Sequence, residues 1–179
     1  MYKRQDNDLP LHEAALFGCA VITGAGAVIN TARILPGDSV AIVGLGGVGL
    51  SGLLGAVLGG AETIVAIDLS DEKLGLARQL GATHTVNATD ANHVEQVRDI
   101  TDGGVDFAFD LAGTIKAMET AYNVTRYGGS VVTAGLSPSA ANFSFNQSNR
   151  VSQEKSIRGS YMGSCVPVRD IPRFISLYR

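Results

Sequence analysis

Apolar residues along the chain follow two periods that take turns. Residues 11–17 read as a short helix, and after Gly18-Cys19 small and apolar residues (Ala25, Val28, Ile29, Ala32) recur at helical spacing over 20–35 until Pro36-Gly37-Asp38 makes a turn. From Ser39 onward, strand-like runs alternate with helical patterns over short connections. Ser39–Val43 reads as a buried strand, 47–58 as a helix closed by Gly59-Gly60, and 63–67 as a second strand ending at Asp68. Ser70 is placed to cap the next helix, with Asp71 and Glu72 in its first turn, Leu74, Ala77 and Leu80 on one face, and Gly81 as its stop. A weak strand follows at 83–86, then a more polar helix carrying Val94, Val97 and Ile100. Strand 105–109, helix Ile115–Val124 with Ala117, Met118 and Ala121 inward, strand 130–134, a polar loop over 137–149, strand 156–160 and a last helix from Pro167 complete the series.

Strands that alternate with helices imply an α/β fold, a doubly wound parallel six-stranded sheet with its strand C-termini on one ligand-binding edge. The expected division is a leader over 1–10 (disordered or non-native), a helical junction over 11–37, and the doubly wound α/β domain over 38–179.

Composition changes this picture at few points. The 22 glycines are well above the usual share of roughly 7%, so tight turns and close backbone approach should be frequent. A net charge of -3 without a basic stripe excludes a nucleic-acid partner as the expectation. Cys19 and Cys165 stand too far apart in sequence for a disulfide framework or metal knuckle, so a reducing, cytoplasmic setting is the default. No charge falls between Asp38 and Glu62, a length that could cross a bilayer. Its eight glycines, β-favouring start and lack of basic or aromatic flanks favour strand plus helix, and no membrane partner is expected.

The chemistry centres on Gly44, Gly46 and Gly49, in G-x-G-x-x-G spacing between a strand and a helix. Such glycines make the strand-to-helix turn, let backbone approach a pyrophosphate, and let helix and strand pack closely. Asp68 ends the second strand 19 residues after Gly49, near the expected spacing of about 20 residues for a carboxylate that binds adenosine ribose hydroxyls. That carboxylate would repel a 2′-phosphate of about −1.5 to −2 charges, so NAD is expected over NADP.

The words FGCAVITGAGAVINTA (17–32), PGDSVAIVGLGGVGL (36–50), AIDLSDEKLGLARQLGAT (66–83) and GGVDFAFDLAG (103–113) together resemble the zinc-dependent medium-chain alcohol dehydrogenases. The resemblance covers about 10–179. It implies a Rossmann NAD-binding coenzyme domain, here 38–179 and C-terminally truncated, that normally sits beside a catalytic domain holding most of the zinc site. On this likeness Cys19 corresponds to a catalytic zinc ligand and Thr23 to the residue that touches nicotinamide, the catalytic position in this chain. Gly44, Leu45, Gly46, Gly47, Val48 and Gly49 correspond to the pyrophosphate turn, and Asp68 and Lys73 to the ribose pair. Leu111, Ala112 and Gly113 resemble the adenosine-side wall, whereas Ala134, Gly135, Leu136, Ser160 and Tyr161 resemble the nicotinamide half. Cys165, His84 and His93 read as structural, and His12 has no ligand-type partner at useful spacing.

The implied reaction is reversible hydride transfer between an alcohol and NAD⁺, with zinc as Lewis acid. The other two zinc ligands and the C-terminal return have no counterpart here, so the chain is expected to be an inactive fragment of a longer enzyme. Thiol-adduct formaldehyde and polyol dehydrogenases share this domain, so an alcohol or aldehyde substrate stays unspecified. A stand-alone NAD-binding module without chemistry is the alternative from another class. Pairing of two copies through the sixth strand is the expected oligomer.

Overall fold

The computed structural model describes residues 9–179 of the 179-residue chain. The expected leader therefore lies, except for Leu9 and Pro10, outside the described residues. Leu9 itself packs in a small core with Phe17, Ile22 and Phe174.

One helix, α1 (Leu11–Ala32), opens the described chain. The break expected at Gly18-Cys19 is absent: π-helical turns at Phe17–Val21 and Ala27–Ala32 carry the chain through, and Arg33 ends it in the left-handed region at φ 60°. A wider turn absorbs the residue that would otherwise interrupt the helix. By length and composition α1 could cross a membrane, yet half of its apolar window is buried in the fold.

The sheet follows: β1 (Ser39–Val43), β2 (Thr63–Asp68), β3 (His84–Asn87), β4 (Val105–Asp110), β5 (Thr125–Thr133) and β6 (Ser156–Gly159). Its order is β3-β2-β1-β4-β5-β6 with every neighbouring pair parallel. Sequence order runs outward from β1 in both directions, which makes the gap between β1 and β4 the switch point where such sheets bind ligands. The intervening helices are α2 (Gly47–Gly59), α3 (Asp71–Gln79), α4 (His93–Ile100), α5 (Ile115–Val124), α6 (Gln147–Ser152) and α7 (Pro167–Tyr178). A short turn, Tyr161–Ser164, precedes α7.

Each face of the sheet has its own core. Val40, Ile42, Ile64 and Phe109 meet α2 and α3 residues such as Leu53 and Leu74 on one side. Ala41, Val43, Val65 and Val131 meet Val97, Ala117, Met118 and Ala121 on the other. Successive strand residues point to opposite faces, so the apolar runs are continuous because both faces are covered.

Two further elements differ from the sequence expectation. β5 begins at Thr125 rather than 130, since Thr125 pairs with Val105 before a register shift that resumes at Ser130 and Phe107. The loop over 137–149 ends in α6, whose first turn is capped by Asn146 accepting from the Asn149 N–H.

Several glycines serve the crossing of α1 over α2. A Cβ at Gly24 would lie 2.0 Å from the Val48 carbonyl oxygen, and one at Gly55 would lie 3.0 Å from Ala25 Cα. The G-x-x-x-G of Gly55 and Gly59 is thus a packing face, with Gly59 against Ile34.

Candidate functional site

The strand C-termini line up across the sheet: Val43 is in register with Ile67 and Asp110, Asp110 with Thr133, and Thr133 with Gly159. That register brings the turn after β1, Asp68, the segment 110–113, the segment 133–136 and Ser160 to one edge.

The three motif glycines have different reasons to be glycine. Gly44 has φ +91°, and its Cβ would lie 2.6 Å from Ala112 Cβ, so it serves the turn and the neighbouring strand end. A Cβ at Gly49 would lie 1.7 Å from the Gly44 carbonyl oxygen, which closes helix onto strand. Around Gly46 nothing lies within 4 Å of the same position, and Gly46 and Gly47 are both exposed. The surface over Gly46 is therefore open space that a side chain would fill. Backbone bonding in α2 starts with the Leu50 N–H donating to the Gly46 carbonyl at 2.9 Å, leaving the N–H groups before it for an anion. Val48 is half-buried beneath that turn, and Leu45 is 1% exposed, so Leu45 offers its backbone rather than its side chain.

Asp68 is fixed by that backbone. Its Oδ2 accepts from the Leu45 N–H at 2.6 Å, and its Oδ1 accepts from the Ser70 N–H at 3.0 Å. Lys73 Nζ stands 3.7 Å from Oδ2, on the helix that Ser70 caps. Each carboxylate oxygen keeps a second lone pair for a ligand hydroxyl.

Between these groups lies a cleft of about 750 Å³ lined by Gly44, Asp68, Lys73, Ala112, His93 and Thr120 among others. Such a volume is within the range of small-molecule and cofactor sites, roughly 300–1,000 Å³. Ala112 lines the cleft, whereas Leu111 is 8% exposed and packs in the core. His93 is not a bystander on an exposed helix. Its Nδ1 donates to the Asp90 carbonyl at 2.8 Å, since a carbonyl can only accept, and its Nε2 meets Thr120 Oγ1 at 3.1 Å. The imidazole thereby ties α4 to α5 across the far end of the cleft. His84 instead bonds its neighbour Thr83 through Nδ1 at 3.0 Å.

Sequence reasoning missed Asp110, the organiser of the middle of the edge. It is 2% exposed. Its Oδ2 accepts from Thr133 Oγ1 at 2.9 Å, and Oδ1 accepts from the Ala112 and Gly113 N–H groups at 3.3 and 3.2 Å. Its carbonyl takes the N–H groups of Ala134 and Gly135. The available signal was a second acid at a strand end, followed three residues later by glycine. Gly113, at φ +73°, and Gly135 pack so closely that a Cβ on Gly135 would lie 2.3 Å from the Gly113 nitrogen.

Toward the other end, Leu136 is 83% and Tyr161 79% exposed, while Ser160 is buried and shares a 2.8 Å hydrogen bond with Thr31. Thr23 is nine-tenths buried, and its hydroxyl lies 4.0 Å from Met162 Sδ. Cys19 is an exposed free thiol one residue before Ala20, whose Cβ is 3.7 Å from the Cβ position of Gly47. Cys165 is a second free thiol. It takes the Asn30 amide at 3.2 Å and donates to the Ile22 carbonyl at 3.3 Å, and burial pushes its pKa up. Among the described residues no three His, Cys, Asp or Glu side chains are grouped to hold a metal ion. Cys19 can contribute one ligand, whereas a zinc site needs three or four protein ligands. The described residues do not by themselves fit a zinc ion.

Comparison with known proteins places this edge in context. The family profile described as zinc-binding dehydrogenase matches residues 47–179. The chain is 36% identical over 177 residues to the alcohol dehydrogenase class-2 isozyme 2 of Oryctolagus cuniculus, covering 97% of this chain and 46% of that protein. It is also 36% identical to alcohol dehydrogenase 1 of Trifolium repens over 174 residues, 96% of this chain and 46% of that one. Among solved structures, benzyl alcohol dehydrogenase from Acinetobacter calcoaceticus superposes with a TM-score of 0.94 at 34% identity, over 98% of this chain and 48% of that one. The alcohol dehydrogenase of Aeropyrum pernix gives 0.86 at 31%, over 98% of this chain and 52% of that one. The chain spans about half the length of the curated relatives it matches.

Proposed function

Since this chain belongs to the zinc-binding dehydrogenase family and carries its coenzyme-binding fold, we propose that it binds NAD(H) as the coenzyme part of an enzyme that interconverts an alcohol and its carbonyl compound. The carrying observation is the open surface over Gly46 beside the backbone-held carboxylate of Asp68. In this reading the pyrophosphate lies over Gly46 and Gly47 at the start of α2. The adenosine ribose meets Asp68 and Lys73, and the adenine side of the cleft is walled by Ala112 and closed by the His93–Thr120 bridge. Gly113, Ala134, Gly135 and Leu136 would border the coenzyme toward its nicotinamide end, with Ser160, Tyr161 and Thr23 beyond. When bound, the nicotinamide supplies the hydride acceptor.

This chain's own contribution is orientation. Asp110 fixes the two loops that would border the coenzyme, so that they need not be ordered when it binds, and pre-organised loops of this kind lower the cost of holding a reactant in register. Cys19 would supply one zinc ligand to a site completed by other residues. The names of the relatives support an alcohol substrate. The free thiols support a reducing compartment, and β6, at one end of the sheet, offers an edge through which two copies could pair.

Titration of NADH fluorescence with the purified chain tests the proposal. Binding that weakens by about tenfold or more in Gly46→Val, with thermal stability unchanged, is expected. Equal affinity in the two proteins would remove the pyrophosphate from this turn.

A further inference from the structure

Away from the coenzyme cleft, a second cavity of about 350 Å³ lies between α5 and the segment leading from Phe143 into β6. Lys155 lines it while being only 5% exposed. Its ammonium donates to the Tyr122 carbonyl at 2.9 Å and sits 4.7 Å from the centre of the Tyr122 ring. No carboxylate among the described residues lies within ion-pairing distance of it. A buried ammonium with one neutral acceptor is costly to keep, because charge removed from water needs a counter-charge. Two of its three N–H donors remain uncommitted.

The surroundings repeat that imbalance. Arg98, on the cavity wall, spends its Nε on the Gly103 carbonyl at 3.4 Å and brings a second positive charge. Asn123, Asn149 and Gln153 line the same space, and the buried Tyr122 hydroxyl has no partner among the described residues. Glu119 is the one acid on the wall; it is exposed and makes no ion pair. The remaining wall is aromatic: Phe143 lies 5.8 Å and Phe145 6.3 Å from Tyr122, centroid to centroid. Arg150 covers the Phe145 ring at 5.5 Å.

We propose that this cavity binds a small aromatic carboxylate, its oxygens on the Lys155 ammonium and facing Arg98, its ring against Phe143 and Phe145. A lone oxyanion such as phosphate would satisfy the cations but leave the aromatic wall unused. An uncharged aromatic would leave Lys155 unpaired. A carboxylate carried on a flat ring answers both, and its delocalised charge suits the amide donors around it. The site is independent of the coenzyme reading, since its only shared wall with the cleft is the exposed side of α5 at Glu119 and Asn123.

Calorimetric titration of benzoate into the 179-residue chain, with acetate and inorganic phosphate as comparators and NADH as competitor, is the test. Benzoate is expected to bind, acetate and phosphate to bind about tenfold more weakly or not at all, and saturating NADH to leave benzoate binding unchanged. Lys155→Met should weaken benzoate by about tenfold or more without altering NADH affinity. Arg98→Gln and Phe145→Ala should each weaken it several-fold, and they carry the test if Lys155→Met fails to fold. Absence of benzoate binding, equal binding of acetate or phosphate, displacement by NADH, or affinity indifferent to all three substitutions would overturn the proposal.

Discussion

At the scale of single residues, the three glycines of the turn separate into two kinds. Gly49 is glycine because the protein itself fills the space, 1.7 Å from the Gly44 carbonyl. Gly49→Ala should therefore destabilise the fold by about 1–3 kcal/mol, read as a lowered urea midpoint. Gly46 is glycine with nothing above it, so its substitution should spare stability and reduce coenzyme affinity. Asp68 does two jobs at once. It holds the Leu45 and Ser70 N–H groups, and in the proposed coenzyme pose it would set a negative charge against a 2′-phosphate. Asp68→Asn should lower the ratio of NADH to NADPH affinity by about tenfold, measured by parallel fluorescence titrations; an unchanged ratio would show that another group sets the preference. The glycine spacing and Asp68 could be read directly from sequence, because backbone conformation and charge at a strand end are local matters. The His93–Thr120 bridge could not, since its partners stand 27 residues apart, and Asp110 left only the local hint of Gly113, because Thr133, which holds its other oxygen, is 23 residues away.

At the scale of elements, strands and helices were legible wherever burial on one or two faces imposes a period, as in β1 and in Ile115–Val124. They were misread where neighbours override local preference. The π-helical turns lie in an α1 that packs closely on α2 through Gly24 and Gly55, and the early start of β5 comes with its pairing to β4. Two acidic groups pin the ends of elements. Burial pushes the Asp106 carboxyl up, but hydrogen bonds from Ser39 and Arg126 outweigh it and leave its pKa lowered, tying β1 to β5. The hydrogen bond from Arg169 outweighs burial and lowers Asp170, which also caps the start of α7 through the Val166 N–H at 2.7 Å.

Because both carboxyls ionise more easily folded than unfolded, their contribution is complete above about pH 4 and is lost as pH falls further. Thermal midpoints should drop below about pH 4, and less steeply in Asp106→Asn. Lys155 has the opposite placement in the pH range. Burial, aided by the charge of Arg98, lowers its pKa from 10.5 to about 8. The unfolded chain then binds more protons between those values, so stability should rise with pH from about 8 toward 10.5. Lys155→Met should flatten that rise in a series of urea titrations.

At the scale of the whole molecule, the described residues form a six-stranded doubly wound sheet with one organised edge. The coenzyme half of a dehydrogenase can be assembled from it, whereas a metal centre cannot be assembled from its described residues alone. The fold class could be read early because alternation of periods determines it. The division of labour at the edge depends on five strand ends held in register. The most direct measurement is a crystal structure of this chain with NAD⁺. It should place the pyrophosphate over Gly46 and Gly47 and a ribose hydroxyl within hydrogen-bonding distance of Asp68, with the adenine between Ala112 and the His93–Thr120 bridge. A dinucleotide bound elsewhere, or none bound at saturating NAD⁺, would contradict the account.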